Sequence, residues 1–371
     1  MADTLTEAAA RRKKRIWRVI QIAASLAIAV GVFAYAIPKI ADYSAVGEAL
    51  RAMTLIELAT LFAVMILNIV SYWPQQTAAM PGLTLPQAAV ATQTSTSIAN
   101  TVPGGGVVAV GVTYAMYRSW GFTNSQVALS VLVTGIWNIF MKLGLPVVSL
   151  ALLAIEGRAG GALLIAAVVG VAVLLAAVVL FALVLWKQEL ARRIGNGLGK
   201  AASLFRKLIR RPPVENWSEA AARFRKQTIQ LVSKGWLKLT VSTLVSHLAL
   251  WLVLLLALRH VGVSAAEVST AQVLGVFAFG RLITALPITP GGVGIAELGY
   301  IGGLLLAGRE QADVSPEVFR AQVVAAVLVF RTLTYAFQIP FGAFTYLIWR
   351  RKKGWLKSPS MPAETHVTAS S

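Results

Sequence analysis

The chain has 371 residues, of which 57% are hydrophobic and 13% charged, and its mean hydropathy of +0.71 lies far above that of soluble globular domains. Cysteine is absent and histidine is confined to His247, His260 and His366, which excludes a disulfide framework, thiol chemistry and most histidine-based catalysis. The 34 Lys and Arg residues against 15 Asp and Glu leave a net charge of +19, and their placement along the chain decides between a nucleic-acid partner and a membrane orientation.

In chain order, residues 1–15 form a basic leader ending in RRKKR. An apolar run follows from Ile16 to Phe33. It exceeds the hydrophobic region of a signal peptide, about 7–15 residues, and is read as a retained first span although AYA follows at 34–36. Further runs of about 20 apolar residues, the length that crosses a bilayer core, begin near Met53, Val127, Gly160, Trp236 and Val318. That makes six spans. Two other apolar regions, 87–118 and 270–307, are cut by Pro103-Gly104-Gly105 and Pro290-Gly291-Gly292 into arms of roughly 15–17 residues, each marginal for crossing.

The polar connection 187–235 carries RRPP at 210–213 and WSEAAARFRKQTIQLV at 217–232. The near-helical spacing of apolar residues in the latter predicts a helix lying on the cytoplasmic leaflet. Residues 351–371 read as a disordered cytoplasmic tail. Trp73, Trp120, Trp236 and Trp349 fall near span ends, where interfacial anchors belong.

With the N-terminus in the cytoplasm, 25 basic residues fall on the cytoplasmic side and 6 outside, provided each interrupted region returns to the side it entered from. This bias assigns the charge to orientation and to anionic headgroups rather than to nucleic acid. The expected fold is an all-α polytopic membrane protein of the cytoplasmic (inner) membrane, with six spans, two re-entrant helical hairpins and both termini inside. The domain runs over 16–350. A shift of 187 residues lays Pro103-Gly104-Gly105 on Pro290-Gly291-Gly292 and superposes the flanking spans, so 53–153 and 236–349 form two repeat units of opposite orientation. Inverted repeats with broken helices are a recurring transporter plan, with the breaks meeting near the midplane. A helix break in hydrocarbon exposes unsatisfied amides and carbonyls, so it persists only against protein or a wet cavity.

The prolines Pro103 and Pro290 remove a donor, and the glycines, including Gly294, allow sharp turns. Arms starting at Gly104 and Gly291 would then offer free N–H groups to an anion, with Gly105 and Gly292 beside them. The competing reading is that each PGG is only a tight turn. Four charges cannot be assigned to loops: Lys142, Arg281, Glu297 and Arg331. Each costs roughly 2.5–3.5 kcal/mol at bilayer depth, so each should face protein or water, and all four are placed at one cavity. Glu297 balances one cation at most. The surplus suits a phosphate-bearing group, with arginine as a bidentate donor. Alternatively Glu297 staples the hairpin by pairing with Arg281 or Arg331, and Lys142 snorkels. TQTSTSIANT at 92–101 either lines the cavity or bonds to neighbouring helices, and Asn68, Asn138 and His247 are read as interhelical hydrogen-bond partners.

The stretch RLITALPITPGGVGIAE at 281–297, followed by Phe330-Arg331 in the last span, resembles the flippase-type transmembrane region of bacterial lysylphosphatidylglycerol synthases, over about residues 16–350. The resemblance implies movement of lipid between leaflets, with Arg281, Pro290, Gly291, Gly292, Gly294, Glu297 and Arg331 as functional positions. The aminoacyltransferase domain of bifunctional members has no counterpart in 351–371, so the chain is not expected to make lysyl lipid. The leading expectation is a flippase or exporter of an anionic amphiphile, with no catalytic residue, metal or cofactor. A membrane-embedded transferase on lipid-linked substrates and an accessory scaffold of a lipid-synthesis complex are the alternatives. Membrane lipids are the expected partners, with a second copy or a lipid-synthesis enzyme as candidate protein partners.

Overall fold

A segment that crosses hydrocarbon must satisfy its own backbone, which selects helices. The computed structural model describes residues 30–102, 104–157, 161–208, 217–284, 289–308 and 314–351, together with Val19, Ala23 and Ala27, and every regular element among them is helical. The basic leader, most of the first span, Pro103, the RRPP segment and the tail beyond Arg351 lie outside the described residues.

The principal helices are α1 (Tyr43–Arg51), α2 (Leu55–Ala79), α3 (Leu85–Thr101), α4 (Gly105–Ser119), α5 (Asn124–Ile155), α6 (Gly161–Trp186), α7 (Gln188–Leu208), α8 (Trp217–His260), α9 (Thr270–Ile283), α10 (Ile295–Gly308), α11 (Pro316–Arg331) and α12 (Gln338–Arg351). Many of their starts are written locally. Thr54, Thr84, Thr123 and Ser269 each accept the backbone N–H of the Glu or Gln three residues on, whose side chain reaches back to the cap.

Six segments are long and apolar enough to cross a membrane: Leu55–Ala79, Asn124–Ile155, Val168–Trp186, Trp217–His260, Pro290–Gly308 and Pro316–Arg351. Five of them coincide with spans expected from the sequence. The Pro290–Gly308 segment is the exception, having been read as part of a hairpin. It is not one continuous helix: Pro290–Gly292 forms a 3-10 turn, and α10 begins only at Ile295. The helix on the leaflet is a further correction. Residues 217–232 are helical, but they are the first part of the 44-residue α8 and therefore continue the span's own axis. Trp217 and Ala221 pack on α7, so closely that a Cβ on Gly195 would lie 2.6 Å from Ala221 Cβ, while Phe224 packs against the cluster of Ala79, Leu129 and Val133.

Helices α2 and α8 form the central pair. Asn68 Nδ2 donates to Ser246 O at 2.8 Å and Gln75 Nε2 to Thr243 Oγ1 at 2.7 Å across their interface, bonds worth about 0.6 kcal/mol each between membrane helices. The largest buried cluster joins α8, α9, α10 and α11, and includes the edge-to-face pairs Phe277–Phe330 and Tyr300–Phe330 at 6.4 and 5.3 Å. Helix α6 is apolar all round and its spanning window is unburied, as a lipid-facing helix would be.

Of the tryptophans placed at the interface, Trp236 is exposed. Trp120 and Trp349 are instead buried, and Trp349 Nε1 donates to Ser119 Oγ at 2.9 Å, joining α12 to the end of α4.

Candidate functional site

The first break is built by glycine. Gly104 adopts φ +66° as the residue before α4, and at Gly105 a Cβ would sit 2.6 Å from the carbonyl oxygens of Ile98 and Ala99, so α3 and α4 approach backbone to backbone. Helix α3 is in turn docked on α12. Thr94 and Thr345 share a 3.0 Å hydrogen bond, Ser97 Oγ donates to Ile339 O at 2.8 Å, and a Cβ on Gly342 would collide with Gln93 O. The hydroxyl-rich run at 92–101 thus serves both purposes weighed for it. Thr94 and Ser97 bond to α12, while Thr92, Ser95, Thr96 and Asn100 face open space.

The second break folds differently. Gly291 has φ +56°, Gly292 N–H donates to Thr289 O, and Gly294 N–H donates to Glu297 Oε2 at 2.6 Å. Glu297 therefore caps its own helix. The first turn of α4 (Gly105 and Gly106) borders the open space, whereas at the start of α10 the carboxylate of Glu297 accepts the Gly294 amide that was expected to stay free.

The two breaks meet. The Tyr335 hydroxyl lies 2.6 Å from Asn100 O, to which it donates, and 3.3 Å from Pro290 O, which ties the end of α3 to the second break. Tyr335 sits in a π-helical turn, Thr332–Ala336, closed by Phe337 N–H donating to Thr332 O at 2.9 Å. Such turns often mark functional positions because they rotate the following side chains out of helical register.

Between the breaks lies a cavity of about 490 Å³, within the size range of ligand sites. Lys142, Arg281 and Arg331 all line it, with Gly104, Gly105, Pro290 and Gly291. Packing explains the convergence. Ser149, two turns after Lys142 on α5, donates to Ala271 O at 3.1 Å and presses against Gly275 of α9, less than two turns before Arg281. Gly280 admits the Tyr300 ring, holding α10 against α9.

The cations are held unequally. Arg331 Nε donates to Glu297 Oε1 at 2.7 Å and Nη2 to Gly291 O at 3.1 Å, while its guanidinium lies 4.5 Å from the Tyr335 ring centre. Of the two ion pairs open to Glu297, Arg331 has it. Lys142 and Arg281 have neither an acidic nor a hydrogen-bond partner among the described residues, and Arg281 Nε is buried and unsatisfied. Glu297, Gly292 and Gly294 are not at the cavity surface: Glu297 is buried behind Arg331, and the two glycines shape the turn. Pro103 lies outside the described residues.

Sequence reasoning missed Tyr335, although its spacing of four from Arg331 puts both on one helix face. Of the other polar residues singled out, Asn68 does bond between helices. Asn138 and His247 instead bond within their own helices, to Thr134 O and Thr243 O.

No curated protein matches the chain. Residues 22–342 match the family model described as the lysylphosphatidylglycerol synthase TM region, nearly the span over which the sequence resembles it, and the protein is a multi-pass membrane protein belonging to that family.

Proposed function

We propose that the protein moves a lipid with an anionic, phosphate-bearing headgroup between the leaflets of the cytoplasmic membrane, without covalent chemistry of its own. One observation carries the reading. Three cations converge on one cavity while the one carboxylate beside them, Glu297, is taken up by Arg331, so Lys142 and Arg281 hold charge that nothing among the described residues neutralises. An unpaired charge in such a site is costly until an anion arrives, and a phosphate supplies several acceptors at once. Arg331, held by Glu297, positions the cavity wall and offers Nη1; Lys142 and Arg281 are the binding cations.

In this reading α3–α4 and α9–α10 are the re-entrant hairpins of an inverted repeat. Their arms have 17, 15, 14 and 14 residues, or about 21–26 Å at 1.5 Å per residue, short of the roughly 30 Å core. The basic bias supports a cytoplasmic side for the termini and for the polar connection 187–235.

The test is reconstitution. Vesicles carrying a fluorescent anionic lipid are bleached from outside, and the loss of inner-leaflet signal is timed. Arg281→Ala removes a cation with no partner among the described residues, so it should preserve folding and slow transfer at least about tenfold, the worth of one charged hydrogen bond. Wild-type rates for both Arg281→Ala and Lys142→Ala would refute the assignment.

A further inference from the structure

Buried apolar residues fall into separate clusters, and two of the helices cross from one cluster to another. The largest cluster joins the first half of α2 (Leu61, Met65 and Ile69) to the end of α8 and to α9, α10 and α11. Another joins Met80 and Leu83 to α3, the end of α4 and Trp349 of α12. Each crossing is interrupted. Helix α2 carries Pro74 between Ile69 and Met80, and the last span carries its π-helical turn, Thr332–Ala336, between Phe330 and Trp349. Prolines and π turns are where helices bend, and close-packed clusters move as units, so the two interruptions mark a bend line between two bodies. Helix α3 goes with α12, to which Thr94 and Ser97 bond, and α10 goes with α11 through Glu297 and Arg331.

Tyr335 stands on that line. It is rooted in the π turn itself, and its hydroxyl donates to Asn100 O at 2.6 Å and lies 3.3 Å from Pro290 O, one carbonyl on each side. All three residues border the cavity, so carbonyls that lose the tyrosine face open space rather than hydrocarbon, which keeps the bond reversible. The Tyr335 ring lies 4.5 Å from the Arg331 guanidinium, which also donates to Gly291 O and lines the same cavity. A phosphate, charged where a carbonyl is neutral, is the stronger acceptor and competes for that guanidinium. We infer that Tyr335 is a latch: it holds the two breaks together, and an anion that draws Arg331 away releases it, so that the bodies part about Pro74 and the Thr332–Ala336 turn. The inference rests on the reading of the protein as a lipid transporter, in which one repeat rocks against the other around a central site.

The chain contains no cysteine, so engineered pairs can be labelled alone. Spin labels at Val107→Cys on α4 and Leu306→Cys on α10, both exposed and one on each body, report the separation by double electron resonance on the purified full-length protein. Tyr335→Phe should raise the ratio of the longer to the shorter distance about fivefold, the worth of one neutral hydrogen bond, and dioctanoyl phosphatidic acid should shift the labelled protein that keeps Tyr335 in the same direction. A second pair, Asn100→Cys with Tyr335→Cys, replaces the latch by a short bis-methanethiosulfonate bridge that dithiothreitol reverses. In vesicles the bridged protein should move a fluorescent anionic lipid at least about tenfold more slowly than the same protein after reduction, because a gate that cannot open limits every cycle. A tyrosine that only braces the fold would give equal rates. Equal rates, a distance distribution unmoved by Tyr335→Phe, or one unmoved by the lipid overturns the latch. If neither the wild type nor the reduced protein moves lipid, the transport reading falls, and the distances alone then decide the latch.

Discussion

Glu297→Gln is the substitution whose effect the geometry specifies most closely. The carboxylate is 2% exposed, accepts Arg331 Nε at 2.7 Å and Gly294 N–H at 2.6 Å, and faces a guanidinium that is 11% exposed. Glutamine keeps the shape and one acceptor oxygen, so the cap on α10 survives at the cost of the charge. Breaking a buried pair by neutralising one member costs about 3–5 kcal/mol, because the other charge is left uncompensated. Arg331 borders the open cavity, which favours the lower end, about 3 kcal/mol. Removing both charges, as Glu297→Gln with Arg331→Met, leaves no orphan and should recover about 1–3 kcal/mol of the loss expected from adding the singles. The assay is thermal unfolding of the detergent-solubilised protein for the four members of the cycle. Melting of Glu297→Gln with the wild type, or a double variant as unstable as the sum of the singles, would refute the account of this pair.

Two further predictions separate backbone from side-chain effects. Gly104→Ala and Gly291→Ala both force a left-handed φ on alanine, about 1–2 kcal/mol. Only at Gly291 does the new Cβ also strike the Tyr335 ring, so that variant should lose a further 1–3 kcal/mol or so and part the two breaks, read as the lower melting temperature of the pair. Gly342→Leu should undock α3 from α12, where Gln93 O and Ser97 leave no room, and expose the α3–α4 connection to limited proteolysis. Gly106→Ala, in open space on α4, should leave both readouts as in the wild type.

Much of the architecture is legible because its signals are local. Helix starts at Thr54, Thr84, Thr123 and Ser269 follow from a cap residue and a partner three positions on, within one turn. The spans follow from run length against bilayer thickness. Lys142, Arg281 and Arg331 stand out because charge is expensive in an apolar run. By contrast, the hydropathy of 217–232 carries no direction. An amphipathic face looks the same whether it meets headgroups or another helix, and only the packing of α7 at Gly195 distinguishes the two. The identical PGG triplets likewise hide an asymmetry. The carboxylate three residues after Gly294 closes the second helix start, and the first has no such residue.

The sequence by itself determined that this is a helical membrane protein with two glycine-broken segments and more cations than carboxylates within its apolar stretches, because composition, run length and charge cost are properties of the chain. Tertiary structure alone decided which cation Glu297 neutralises and that Tyr335 bridges the two breaks. Those outcomes depend on which residues, more than a hundred positions apart in the case of Lys142 and Arg281, are brought together by close-packed helices, and periodicity within a helix carries no information about its neighbour.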